Sequence, residues 1–236
     1  MNIRLFAKDA GRKFLMIIDC ISDLHGHHPE LEGGDLLIVA GDLTASDKAY
    51  QYFEFREWLL KQQYNIKIFI SGNHDCLIEM GRFYFSNEWI GADYLCDSGT
   101  EFEGLKIWGS PWTKTFKGMN PHCKAFTCDT EEQLAEKWKL IPDDIDILVT
   151  HSPPYGILDG IPNMYDGTYF HAGSKSLDKR IFYSTSLQLH VFGHIHENGG
   201  KIIERTQNVC DKHMSVNASY VNEHYKPVNK PIRVIL

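Results

Sequence analysis

Apolar runs recur along the chain, and several are closed by a short cluster of polar and glycine residues. Residues 14–21 read as a buried strand that ends at Ser22-Asp23-Leu24-His25-Gly26. Residues 36–40 form a second, ending at Gly41-Asp42. The segment 48–63 then places Tyr52, Phe55, Leu59 and Leu60 at helical spacing, with Ser46 or Asp47 positioned to cap it. Residues 66–70 return to an unbroken apolar run, which stops at Ser71-Gly72-Asn73-His74-Asp75. Strand, strand, helix, strand is the order of an α/β fold.

The middle of the chain is less regular. Residues 105–109 read as a short strand. The stretch 110–128, with Pro111, Gly118, Pro121 and scattered aromatics, reads as a long ordered loop, a length usually kept for function. Residues 130–140 predict a helix capped by Thr130, with Glu131 and Glu132 in its first turn and Pro142 as its stop. Residues 145–150 read as a buried strand ending at His151-Ser152-Pro153-Pro154. A Gly-rich loop over 155–175 leads to a helix over 176–187, where Leu177, Ile181 and Leu187 share a face. Residues 189–192 form another strand, ending at Gly193-His194-Ile195-His196. The tail, 201–236, alternates short strand-like runs with turns. Residues 1–13 fit an edge strand or a loose arm. With no repeat, low-complexity tract or linker, residues 1–236 read as one domain.

Length and charge narrow the function. A chain of 236 residues is long enough to bury a full core without staples. Its net charge of −7 opposes strong nucleic-acid binding. No run approaches the roughly 18 apolar residues of a membrane helix. The N-terminus lacks a signal-peptide pattern. The six cysteines (20, 76, 96, 123, 128 and 210) contain no CxxC pair, which favours reduced thiols in a cytoplasm. The sequon Asn217-Ala218-Ser219 is then accidental.

The chemistry lies in the strand ends. Asp23 and His25, Asp42, Asn73 and His74, His151, and His194 and His196 each follow an apolar run. In open α/β sheets, ligands gather beyond the carboxyl ends of strands, so these residues would converge. The donor set mixes carboxylate and amide oxygen with imidazole nitrogen, which suits Mn, Fe, Zn or Ni, with Mg also conceivable. So many donors exceed one ion and fit a two-metal hydrolytic site with a bridging carboxylate.

Asp23-x-His25, Gly41-Asp42, Gly72-Asn73-His74-Asp75, His151 and Gly193-His194-x-His196 resemble, in order, the motifs of the calcineurin-like metallophosphoesterases. Gly109-Ser110-Pro111-Trp112, His151-Ser152-Pro153-Pro154 and the residues flanking His194 look like the metallophosphoesterase-domain-containing branch, which is similar to class III cyclic nucleotide phosphodiesterases. The resemblance implies an α/β fold with a two-sheet β-sandwich core flanked by helices. It implies that Asp23, His25 and His196 hold one metal, Asn73, His151 and His194 a second, and that Asp42 bridges them. It makes His74 the proton donor to the leaving oxygen, with Asn73 and His74 meeting the substrate. Some relatives in this branch lack the His at position 194, which this chain keeps. The expected activity is hydrolysis of a small phosphodiester, such as a cyclic nucleotide, by a metal-activated water. A phosphomonoesterase or a silent binding scaffold is the alternative. The oligomeric state stays open, a dimer included.

Other candidates have plainer explanations. His27 and His28 read as solvated loop residues, and Cys20 and Cys76 as small fillers. His122, Cys123 and Cys128 are poorly spaced for zinc. Trp112, Phe116, Met119, Phe126 and Tyr155 are either core or a lid that stacks a base. His171 and Lys175 lie in the loop after His151, within conceivable reach of substrate.

Overall fold

The computed structural model describes residues 15–116, 123–163, 166–206 and 212–236. The N-terminal arm, Met119, His122 and Cys210 lie outside the described residues. In the first half of the chain the strands are β1 (Ile17–Ile21), β2 (Gly34–Ala40), β3 (Tyr64–Ile70), β4 (Asp93–Tyr94), β5 (Ser98–Phe102), β6 (Leu105–Ser110) and β7 (Thr113–Lys114). Then come β8 (Thr127–Cys128), β9 (Ile147–Thr150), β10 (Gly160–Pro162), β11 (Tyr169–His171), β12 (Leu189–Phe192), β13 (Lys201–Thr206), β14 (Lys212–Asn217) and β15 (Ile232–Ile235). The helices are α1 (Ala49–Lys61), α2 (Cys76–Glu79), α3 (Asn87–Ile90), α4 (Glu131–Trp138) and α5 (Lys175–Phe182), and a 3₁₀ turn spans His196–Asn198.

Two sheets carry the fold. The first is five-stranded, in the order β15-β1-β2-β3-β4, and the second six-stranded, in the order β13-β14-β12-β9-β6-β5. β1 through β4 run parallel, with β15 antiparallel on the edge. In the second sheet β14, β12, β9 and β6 run parallel between antiparallel edges β13 and β5.

The apolar runs lack alternation because both faces of each central strand are covered. From β2, Leu36, Ile38 and Ala40 face Ile107, Ile147, Val149 and Val191 of the second sheet, all within one inter-sheet core. The intervening Leu37 and Val39 pack with Tyr52, Phe55 and Leu59 of α1 on the outside. Leu148 of β9 likewise meets Leu134 and Trp138 of α4 and Leu177 and Ile181 of α5. Helix, sheet, sheet, helix is thus the layer order, as the resemblance implies.

Several local expectations need correction. Neither Ser46 nor Asp47 caps α1. The Gln51 side chain reaches back, accepting from the Ser46 and Lys48 amides at 3.0 and 3.3 Å. Asp47 is instead engaged by the Tyr52 hydroxyl at 2.6 Å and the Leu77 amide at 3.0 Å. Leu60 is exposed, and Trp58 takes the buried place. The loop 110–128 contains the pair β7 and β8, and 155–175 contains the hairpin β10–β11. α5 stops at Phe182, well before Leu187. Thr130 does cap α4, accepting from the Gln133 amide at 3.3 Å. Among the described residues, no helix is long and apolar enough to cross a membrane.

The closing strand is fastened by charge. Arg233 on β15 donates from Nε and Nη2 to the two oxygens of Asp19 on β1, both at 2.8 Å. The Tyr64 hydroxyl donates to the same carboxylate. Asp19 is buried, so removing its partner strands a charge. Arg233→Ala is expected to cost about 2–3 kcal/mol in urea unfolding, below the full buried-pair value because the guanidinium is partly solvated. A change within about 0.5 kcal/mol would show that Tyr64 alone suffices.

Candidate metal centre

The parallel strands of both sheets end at one edge, and their following loops meet there. The first sheet supplies Asp23 and His25 after β1, Asp42 after β2, and Asn73 and His74 after β3. The second supplies His151 after β9 and His194 and His196 after β12. The backbone at Asp23, His25, Asp42 and His194 has φ of 52°, 43°, 52° and 69°, the left-handed region that costs non-glycine residues strain. The glycines beside them permit close approach. A Cβ on Gly193 would collide with Asp23 Oδ2 and Ser22 Oγ, and one on Gly72 with the Asp42 carboxylate.

Asp42 is the centre of the cluster. Its Oδ2 lies 3.4 Å from His151 Nε2, 3.6 Å from His25 Nε2 and 3.9 Å from His74 Nε2. Its Oδ1 accepts from the His74 amide at 2.9 Å. Asp23 faces His196 Nε2 at 3.3 Å and accepts from the His194 amide at 3.0 Å. His25 and His196 bring their Nε2 atoms within 3.3 Å of each other. Asn73 Oδ1 lies 3.0 Å from His151 Nε2, while its Nδ2 donates to the Cys123 carbonyl at 3.3 Å. Three overlapping groups have their donor atoms within 4.8 Å: Asp23, His25 and His196; His25, Asp42 and His74; and Asp23, Asp42 and His151. Asn73 and His194 join this cluster through His151, since the His194 ring sits 4.9 Å from that of His151.

The outer nitrogens are held from behind. His151 Nδ1 donates to the Ala40 carbonyl at 3.0 Å, and His196 Nδ1 to the Asn222 carbonyl at 3.2 Å. Such bonds fix the ring so that Nε2 faces inward, as in metal-ligating imidazoles. His194 Nε2 and His25 Nδ1 are buried with no hydrogen-bond partner among the described residues. A buried polar atom without a partner is costly unless a ligand supplies one.

The electrostatics match. Burial opposes charge here, yet the His151 imidazole beside it holds the Asp42 carboxyl well below the usual range. Against the same opposition, His196 lowers Asp23. Burial pushes His25 and His194 down to about 3, leaving both neutral. Burial works against a charge on His151 as well, but Asp42 beside it raises the imidazole to about 9. Ionised carboxylates with neutral imidazoles are the donor forms a divalent cation needs, and a cation would displace the proton that His151 otherwise keeps.

Residues 16–198 match the family model of the calcineurin-like phosphoesterases. The chain belongs to that family. As a calcineurin-like phosphoesterase it is by class a metal-dependent hydrolase of phosphate esters. It is similar to metallophosphoesterase domain-containing protein 1 of Homo sapiens, 34% identical over 92% of this chain and 70% of that protein. The Mus musculus protein of the same name matches equally. Among solved structures it resembles TT1561 of Thermus thermophilus, with a TM-score of 0.57 and 14% identity over 89% of this chain and 90% of that one. That likeness shows the fold.

Around this centre, sequence reasoning missed three residues that pack against the candidate ligands. Tyr225 lays its ring 4.8 Å from His25 and 5.3 Å from His196, from a tail read only as strands and turns. Asp75 is buried and accepts from the amides of Gly72, Leu43 and Thr44, pinning two ligand loops together. Burial and the Asp42 charge raise its carboxyl to about 8. Adjacency to Asn73-His74 was its one visible signal. Cys123 lies with its sulfur 3.4 Å from His74 Nδ1.

The remaining candidates divide. Phe116 tilts against the His194 ring at 5.4 Å. Phe126 is core, and the Trp112 indole donates to Asp97 at 2.8 Å beneath the Lys137 ammonium. Tyr155 lies tilted against His171 at 4.9 Å, and His171 Nδ1 donates to the buried Asp159 at 2.7 Å. Lys175 lies over the Tyr155 ring. His27 bonds toward the Tyr225 carbonyl, and His28 packs on Trp58.

Proposed function

We propose that this chain is a dinuclear phosphodiesterase acting on a small phosphodiester, cyclic nucleotides included. The observation that carries this is the position of Asp42. Its Oδ2 faces His25 from one group and His151 from the other, at 3.6 and 3.4 Å, where a bridging carboxylate belongs. Asp23, His25 and His196 would hold one ion and Asn73, His151 and His194 the other. The mixed oxygen and nitrogen set suits Mn, Fe or Zn. When bound, such cations polarise the phosphoryl group and make a water acidic enough to attack at neutral pH.

The chain's own residues do the rest. Ala40 and Asn222 hold the His151 and His196 rings through their carbonyls. Asn73 turns its amide oxygen inward because its nitrogen is engaged by Cys123. His74, with Nε2 3.9 Å from Asp42, donates a proton to the departing oxygen as the P–O bond breaks. Phe116 and Tyr225 place aromatic surface against the cluster from two sides, a setting that favours an esterified, partly apolar substrate over a bare phosphate. The whole chain acts as one domain in this reading, since β15 completes the first sheet against β1.

The test compares bis-p-nitrophenyl phosphate with p-nitrophenyl phosphate after chelation and refilling with Mn, Zn, Ni or Mg. Metal-restored cleavage that favours the diester is expected. Preference for the monoester would make the chain a phosphatase. Silence with metals bound would leave a scaffold.

A further inference from the structure

We infer that Cys123 is a positioning residue for His74, holding its ring so that Nε2 points at the leaving oxygen. This rests on the reading of His74 as proton donor. The His74 ring packs edge-on against His25 at 4.6 Å, and each of its nitrogens faces a side chain. Nε2 faces Asp42, and Nδ1 lies 3.4 Å from Cys123 Sγ. A ring with only Nε2 engaged could turn about its side-chain torsions. The sulfur, a weak acceptor, receives Nδ1–H and fixes the second end.

Cys123 is itself tied to the site. Its carbonyl accepts from Asn73 Nδ2 at 3.3 Å, and two residues on the Ala125 amide donates to the Asn73 carbonyl at 3.1 Å. One residue thus contacts both Asn73 through its main chain and His74 through its side chain. A cysteine in this place supplies polarizability without charge. A carboxylate there would add a further negative group beside Asp42.

The proton balance is simple. In the donor role His74 presents Nε2–H inward, while Nδ1 is held against sulfur. As water attacks phosphorus and the P–O bond breaks, the Nε2 proton passes to the leaving oxygen. His74 keeps its contact with sulfur through Nδ1, and Nε2 recovers a proton from the attacking water.

Leaving groups separate this role from a structural one. p-Nitrophenolate departs without a proton, whereas phenolate benefits from one. Turnover of diphenyl phosphate and bis-p-nitrophenyl phosphate would be measured for wild type, Cys123→Ala, Cys123→Ser and His74→Ala, with metal content determined for each. Cys123→Ala is expected to lower the diphenyl to p-nitrophenyl ratio about tenfold with metal retained. Cys123→Ser, which keeps an acceptor, restores most of it. His74→Ala lowers the ratio at least as far, and adding Cys123→Ala to it lowers it no further. An unchanged ratio in Cys123→Ala, or loss of metal from it, overturns the inference while a lowered ratio in His74→Ala leaves the proton donor standing. An unchanged ratio in His74→Ala overturns both.

Discussion

Asp42→Ala is expected to reduce diester turnover by about a thousandfold or more while the protein stays folded. The estimate follows from the several kcal/mol that a cation contributes to such a transition state, at 1.36 kcal/mol per decade. Asp42 is the carboxylate that faces imidazoles of both sheets, His25 from the first and His151 from the second. Without it those rings lose their common anion, and bound metal should fall with activity. The measurement is turnover together with metal content and circular dichroism. A folded variant that keeps all its metal and loses less than about tenfold in rate would show that Asp42 is not the shared group.

The second large effect concerns acid. His190 and His213 are buried on the outer face of the second sheet, opposite the face that Leu189, Val191, Met214 and Val216 turn to the inter-sheet core. His190 Nε2 donates to the Thr150 hydroxyl at 2.8 Å, and its Nδ1 and His213 Nε2 are buried without partners among the described residues. Arg205, opposite His213 in the β13–β14 register and paired with Asp178 at 2.9 Å, is the nearby cation. Burial, with the Arg205 charge, lowers His213 to about 4, and burial with His213 and Arg205 lowers His190 well below the usual range.

Both histidines therefore stay neutral in the folded chain at a pH where the unfolded chain takes up protons. Stability from this source is complete above about pH 6.5 and falls as the pH drops toward 4. His213 alone accounts for about 3 kcal/mol across that window. Urea unfolding at fixed metal saturation should show the decline, and His213→Leu should remove its share of the slope. Parallel curves for wild type and variant would rule the histidine out as the cause.

How legible all this is from sequence depends on range. The candidate metal cluster is legible because each proposed ligand follows an apolar run by one to four residues, and parallel strands bring those points to a single edge. Asp23, Asp42, Asn73, His151 and His194 needed no contact information. The tautomer-fixing carbonyls of Ala40 and Asn222 leave no trace, since every residue has one. Tyr225 was invisible because its approach to His25 depends on a turn in the tail. Asp19 and Arg233 are 214 positions apart and carry no local signal. The cap of α1 was misplaced for a different reason. Gln51 reaches backward from inside the helix, so the usual search for a short polar residue before the first turn looks in the wrong place.

The division of the site between two sheets sets a timetable for synthesis. A ribosome completes Asp23 through His74 long before it makes His151, His194 and His196, so four of the seven proposed ligands wait for the other three. Its own sheet is also unfinished, because β15 at residues 232–235 is the neighbour of β1. Pairing of such distant segments is slow compared with local helix formation. Metal capture is therefore a late event in the life of the nascent chain, and a chain released before its last strand has an open sheet edge beneath an otherwise complete ligand set.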